Sequence, residues 1–149
     1  MKLVGNINAI LKVKGTQVWS VPPGAMVYEA IQLMSERNVG ALLVMDGDRL
    51  EGLVSERDYT RKVVLRGRSS KETAVRDIIS KPVITVTPDH TVEDCMRLMT
   101  DKRVRHLPVM DKNRVVGVVS IGDLVNWIIS VQSIAIDQLE HYISGQYPA

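Results

Sequence analysis

Serine followed three residues later by aspartate stands twice in this chain, each time behind a glycine and an apolar pair: GLVSERD at 52–58 and GVVSIGD at 117–123. Two uses of Ser55 with Asp58, and of Ser120 with Asp123, fit that spacing. At the start of a helix the serine oxygen can accept a backbone N–H that the first turn leaves free. The aspartate adds a negative charge near the positive end of the helix dipole. The same helix end is also a ready site for an anion. A serine there can donate to a phosphate or ribose oxygen, and a first-turn aspartate can accept hydrogen bonds from two neighbouring ribose hydroxyls, as an acid does in dinucleotide folds. The residues alone leave both uses open, capping being the commoner. Gly52 and Gly117 would let the backbone lie close to whatever it faces.

The duplication reaches far beyond the motif. VWSVPPGAMVYEAIQLMSERNVGALLVMDGDRLEGLVSERDY aligns without a gap onto VITVTPDHTVEDCMRLMTDKRVRHLPVMDKNRVVGVVSIGDL at an offset of 65 residues. Val21/Val86, Pro23/Pro88, Met34/Met99, Asp46/Asp111 and Arg49/Arg114 match at polar and apolar positions alike, which shared core patterning would not produce. Each unit reads as β-α-β-β-α, so an α/β (α+β) fold is expected. Short strands at Val18–Val21 and Val83–Val86 end at proline turns. Val27, Ala30, Ile31 and Met34 recur at helical spacing, as do Val92, Cys95, Met96 and Met99.

ALLVM and HLPVM then pair with RLEGLVS and RVVGVVS through the turns DGD and DKN, as hairpins. A helix is predicted to open at each serine, the first reaching about Leu65 and the second continuing towards Ile129. Pro108, inside HLPVM, argues for a sheet edge or strand start. One such unit exposes too much apolar surface to stand alone. The two are therefore expected to pack with pseudo-two-fold symmetry, leaving two equivalent clefts between them. Residues 10–70 and 77–135 are the expected domains, with 136–149 the end of a C-terminal helix and a tail. Leu124, Ile128, Val131, Ala135 and Leu139 form an apolar stripe there, predicted to pack on the chain's own core or to join a second chain.

Composition narrows the function classes. The net charge is +2, with the basic residues spread through the sequence, which gives little support to a nucleic-acid or anionic-membrane surface. One cysteine, Cys95, excludes an internal disulfide framework and makes a reducing, cytoplasmic compartment the default. No stretch approaches the roughly 20 apolar residues of a membrane span, and MKLVGNINAILKVKG shows no signal-peptide pattern. Cys95 lies on the apolar face of its helix and is expected to be buried and inert. His90, His106 and His141 fall in no metal-ligand spacing. Trp19 is expected to pack in the core or an interface, with stacking on an adenine as the alternative. No catalytic constellation is present, so an enzyme is not expected.

At VGALLVMD…GLVSERDY and RVRHLPVMD…GVVSIGDL the sequence resembles a tandem pair of cystathionine-β-synthase (CBS) domains, a Bateman module, over roughly residues 10–134. SERDYTRKVVLRGRSSKET and IDQLEHYISGQYP resemble the small stand-alone bacterial CBS-pair proteins. The resemblance implies a non-catalytic regulatory module binding AMP, ADP, ATP or NAD(H) in the clefts between the halves. It implies that Asp58 and Asp123 hold ribose hydroxyls, with Ser55 and Ser120 beside ribose or phosphate. It further implies that Asp123 faces Val39, Gly40 and Ala41 of the other repeat, while Asp58 faces Val104, Arg105 and His106. Lys14 and Thr16 precede the first strand, where members of the family line the pocket. Arg57, whose counterpart is Gly122, and Arg105 with His106 would make the Asp58 cleft the more phosphate-attracting. A disc-like homodimer and a separate regulated protein are the expected partners. The alternative is a nucleic-acid-binding or scaffold protein using the basic 57–71 segment, with Arg57, Arg61, Lys62, Arg66, Arg68 and Lys71.

Overall fold

The computed structural model describes residues 5–79 and 83–143. Its first element, α1 (Ile7–Lys14), was not expected from the sequence. There follow β1 (Ser20–Val21), α2 (Val27–Arg37), the hairpin β2 (Ala41–Asp46) and β3 (Arg49–Ser55), and α3 (Glu56–Tyr59), which runs on through a π turn at 60–64. A 3-10 turn at 75–77 leads to α4 (Val92–Lys102), the hairpin β4 (His106–Asp111) and β5 (Arg114–Ser120), and α5 (Ile121–Ile143). The molecule mixes helices with two small sheets, as the α+β reading requires.

The repeat is reproduced in detail. Leu42 opposes Val54 where Leu107 opposes Val119, and each hairpin slips register at the same place, Val44/Met45 and Val109/Met110. Asn38 and Arg103, equivalent residues closing α2 and α4, both take left-handed backbone conformations. Val27, Ala30 and Met34 are buried in one cluster, and Val92, Cys95 and Met99 in another. The predicted helical spacing thus marked the inward faces.

The opening strands fall short of expectation, and unequally. In the first unit β1 pairs parallel with β2, Leu43 donating its N–H to the Trp19 carbonyl at 3.0 Å. The equivalent of Leu43 is Pro108, which has no N–H to give. Among the described residues the second unit accordingly keeps only an isolated bridge between Val86 and Val109, and its sheet has two strands instead of three. Pro108 sits within β4, not at its start, but it faces the side on which the sheet loses its third strand.

The two units exchange their outer segments. Ile7 N–H bonds to His90, Asn8 to Pro88, and Gly5 accepts from Val92; in the other unit Val75 bonds to Ala25, Arg76 to Pro23, and Thr73 accepts from Val27. These bonds coincide when residues 5–11 are laid on 73–79, an offset of 68 rather than 65. Ile7, Ile10 and Leu11 therefore complete the second core, as Val75 and Ile78 complete the first. The repeated glycines serve this exchange. A Cβ on Gly117 would lie 2.7 Å from Leu11 Cδ2, and one on Gly52 would lie 3.0 Å from Ile79 Cδ1. What each glycine lets approach is an apolar side chain of the exchanged segment.

Candidate functional site

Each serine closes its hairpin and caps the next helix. Ser55 Oγ accepts the Asp58 N–H at 3.1 Å, while Asp58 Oδ2 accepts the Ser55 N–H at 3.0 Å and lies 3.0 Å from its hydroxyl. In the second unit Ser120 Oγ accepts the Asp123 N–H at 3.2 Å, and Asp123 Oδ2 accepts the Ser120 N–H at 2.8 Å. Both sites are reciprocal capping boxes, an arrangement worth about 0.5–2 kcal/mol for the serine alone. The first helical N–H of each goes to a strand-entry carbonyl: Glu56 to Gly40 and Ile121 to Arg105. The capping use of the motif is therefore realised twice. Both aspartates nevertheless keep solvent access, with side chains 16% and 22% exposed for Asp58 and Asp123.

Each carboxylate also meets a lysine, but from different places. Lys62, one turn along the same helix, lies 3.2 Å from Asp58 Oδ1 and donates to the Ile78 carbonyl at 2.8 Å. Lys14, at the end of α1, lies 2.6 Å from Asp123 Oδ2 and donates to the Val118 carbonyl at 2.6 Å. The first pair lies within one unit; the second ties the exchanged N-terminal segment to the second unit's motif.

The seam between the units passes these sites. His106 Cε1 lies 3.7 Å from the Cβ position of Gly40. Burial holds the His106 pKa below its usual value; Lys14 and Arg105 push the same way, and Asp123 opposes them. Arg57 Nη1 reaches across to the Arg103 carbonyl at 3.3 Å. Sequence reasoning assigned Arg57, Arg105 and His106 together to the cleft of Asp58. Arg57 spends an N–H on Arg103, Arg105 is exposed, and His106 lies in the fields of Lys14 and Asp123. Among the described residues, no hydrogen bond of Asp58 reaches Val104, Arg105 or His106. Val39, Gly40, Ala41 and Val104 are half-buried at the strand entries.

Thr16 is exposed. Trp19 packs on the first core, and the Arg37 guanidinium carbon lies 4.1 Å from its ring centroid; that face is already covered by a cation–π contact. Cys95 is buried, and burial followed by the nearby Asp94 pushes its pKa up to about 11. No group of three or more potential ligands for a metal occurs among the described residues. A shallow depression of about 370 Å³ lies against α4, lined by His90, Asp94, Arg97, Leu98 and Asp101, and includes none of the motif residues.

Two equivalent α+β units that cap paired helices at one seam, each finished by a segment from outside itself, define a tandem-repeat module. The CBS domain family matches over residues 12–65 and 75–130, and the chain belongs to that family. CBS domain-containing protein CBSX3, mitochondrial, from Arabidopsis thaliana is 41% identical over 138 residues, 89% of this chain and 66% of that relative. The chain thus spans just under two thirds of the plant protein. A solved CBS-domain protein from Burkholderia ambifaria MC40-6 superposes with a TM-score of 0.82 at 47% identity, covering 85% of this chain and 95% of that one. CBS domain protein PAE2072 from Pyrobaculum aerophilum, solved in complex with AMP, has a TM-score of 0.71 at 26% identity over 79% of this chain and 88% of its own. A hexameric CBS-CP12 protein from bloom-forming cyanobacteria has a TM-score of 0.72 at 30% identity over 82% of this chain and 70% of its own.

Proposed function

We propose that this protein is a non-catalytic regulatory module that binds an adenine nucleotide (AMP, ADP, ATP or NAD(H)) in the clefts between its CBS units. In this reading Asp58 and Asp123 accept ribose hydroxyls, with Ser55 and Ser120 beside ribose or phosphate. Val39, Gly40 and Ala41 flank one sugar, and Val104, Arg105 and His106 the other. The observation that carries it is the twofold placement of a partly exposed first-turn carboxylate beside the inter-unit seam. The AMP complex of a protein with the same fold supports it. Capping does not exclude this role, because each carboxylate stays partly exposed beside the seam while bonded to its own helix. Binding acts on a separate partner protein by favouring one arrangement of the halves over another. The compartment in this reading is the cytoplasm.

The second copy belongs to the same reading. Val125, Ile129, Gln132, Ile136, Leu139 and Ile143 follow one another along α5 in alternating steps of four and three. The five apolar members are 40–76% exposed. Isoleucines fall at one seam position and valine, glutamine and leucine at the other, a pattern that suits two parallel strands. The stripe expected from the sequence meets this one at Leu139; its Leu124 and Ile128 pack on the chain's own second core, and the Ala135 side chain lies outside the described residues.

A basic nucleic-acid surface at 57–71 is less well supported. Arg57, Lys62 and Lys71 are engaged with Arg103, Asp58 and the Tyr28 ring, respectively. A thermal-shift panel of AMP, ADP, ATP, NAD and NADH tests the proposal. A ligand at about 100 times its Kd is expected to add roughly 2.7 kcal/mol. No shift from any of the five would overturn it.

A further inference from the structure

We propose that the turn at 61–68 docks the protein on an anionic membrane surface. Val64 and Leu65 enter the lipid interface, and Arg61, Arg66 and Arg68 meet the head groups. This does not depend on the nucleotide reading. Val64 and Leu65 are 52% and 75% exposed. Arg61, Arg66 and Arg68 are exposed too, and among the described residues none of them makes a hydrogen bond, ion pair or ring contact. No acidic residue occurs from 59 to 71. The flanking acids are Asp58, already held by Lys62, and Glu72. The even spread of basic residues along the whole sequence conceals this local excess.

The turn stands out from the fold. Leu65 N–H bonds to Thr60 at 3.0 Å, Gly67 to Val64 at 3.1 Å and Arg68 to Val63 at 2.9 Å, so its backbone is satisfied without a partner. A Cβ placed on Gly67 would meet nothing within 4 Å, and residues 64–69 are exposed without a break. At the far end the Ser70 carbonyl accepts the Tyr28 N–H at 2.9 Å, which roots the turn on α2. There Lys71 Nζ lies 5.0 Å from the centroid of the half-exposed Tyr28 ring, a cation and an amphipathic aromatic of the kind that suits a lipid–water boundary.

A protruding tip suits a bilayer better than it suits other partners. A peptide helix needs a groove and an added strand needs an open sheet edge, and the depression on α4 includes none of these residues. Aliphatic side chains gain little on a nucleic-acid backbone, whereas a lipid interface takes up both them and the cations. The repeat supplies a comparison. At the equivalent places in α5 stand Asn126, Ile129, Ser130, Val131 and Ser133, with no cation among them, so the fold itself does not call for the charges. Ile129 belongs to the seam offered to a second copy, but setting this tip against its own copy would oppose arginine to arginine.

The experiment is flotation of the full chain with vesicles of phosphatidylcholine alone, and of phosphatidylcholine and phosphatidylglycerol in equal parts. Binding is expected to the mixed vesicles only, weakening as salt is raised. Arg66→Glu with Arg68→Glu is expected to cut it at least about tenfold, and Leu65→Ser to weaken it as well. Lys102→Glu with Arg114→Glu makes the same change in net charge at exposed places on the second unit and is expected to retain most of the binding. Equal binding to both vesicles, no binding to the mixed ones, or equal loss from the two double variants overturns the proposal. Binding of duplex DNA in place of the vesicles overturns it in favour of a nucleic-acid surface. A changed oligomeric state of Leu65→Ser in sedimentation velocity assigns the tip to a second copy and overturns it too.

Discussion

Asp123 Oδ2 carries two loads at once, the Ser120 N–H and the Lys14 ammonium, and His106 lies in the field of that pair. Buried among them, His106 is more readily protonated in the unfolded chain than in the native one. The unfolded state therefore takes up the proton first as pH falls below the usual 6.5. Stability consequently rises with pH across that window and declines as pH drops through it towards the lowered native pKa. Unfolding free energies of the native protein and His106→Gln are expected to converge as pH is lowered from 7.5 to 5.5, the native protein losing the more. A constant difference would show that His106 keeps its ordinary pKa. Asp94 acts in another window, because the Thr91 N–H holds its pKa below 3.8. Its contribution is present at neutral pH and fades only below that value. At this scale the serines and aspartates were legible, because a capping box is local. Lys14 was singled out only through the family resemblance, and its contact with Asp123 was not foreseen, because nothing local marks a contact made across most of the chain.

The elements show where a repeat can mislead. The offset of 65 correctly located α2, α4, both hairpins and both capped helices, since these carry matching polar and apolar residues. It concealed the exchanged segments, whose correspondence is offset by 68 and rests only on pairs such as Ile7/Val75, Ile10/Ile78 and Leu11/Ile79. Pro108 was legible as a fault in a strand, yet its effect needed the partner geometry: the missing N–H removes one ladder bond, leaving Val86 to hold β4 only through the Pro108 carbonyl and the Met110 N–H. The tight seat of Leu11 over Gly117 gives a direct test of the exchange. Gly117→Ala is expected to cost about 1–3 kcal/mol through the clash, and Leu11→Ala about 2–5 kcal/mol through the lost burial. Because the smaller Leu11→Ala side chain vacates the space the new methyl needs, the double variant is expected to cost less than the sum. Strict additivity in denaturant unfolding would show that α1 does not cover β5 in solution.

Over the whole molecule, the exchange turns two marginal units into one structure, since neither completes its core with its own residues. Lys14 in turn ties α1 to the Asp123 motif. The same α5 that opens at Asp123 carries the exposed seam at its far side, so site and contact surface share one rigid element. Ile136→Glu, at the middle of that seam, is expected to shift the protein from dimer to monomer in sedimentation velocity while leaving the thermal transition within a few degrees. An unchanged dimer would place the interface elsewhere. The twofold motif located both capped helices, and Arg57 against Gly122 already pointed to unequal surroundings; the Lys14 contact to Asp123 was not marked, because it comes from a helix the repeat did not reveal.

The most direct measurement is the number of AMP molecules bound per chain by titration calorimetry, for the native protein and for Asp58→Asn and Asp123→Asn. Asparagine keeps a capping oxygen, so the helices persist while the charged acceptor is lost. Two sites falling to one in each single variant, and to none in the double, is the predicted result. Undiminished binding in the double variant would contradict the account, leaving both carboxylates as helix caps alone.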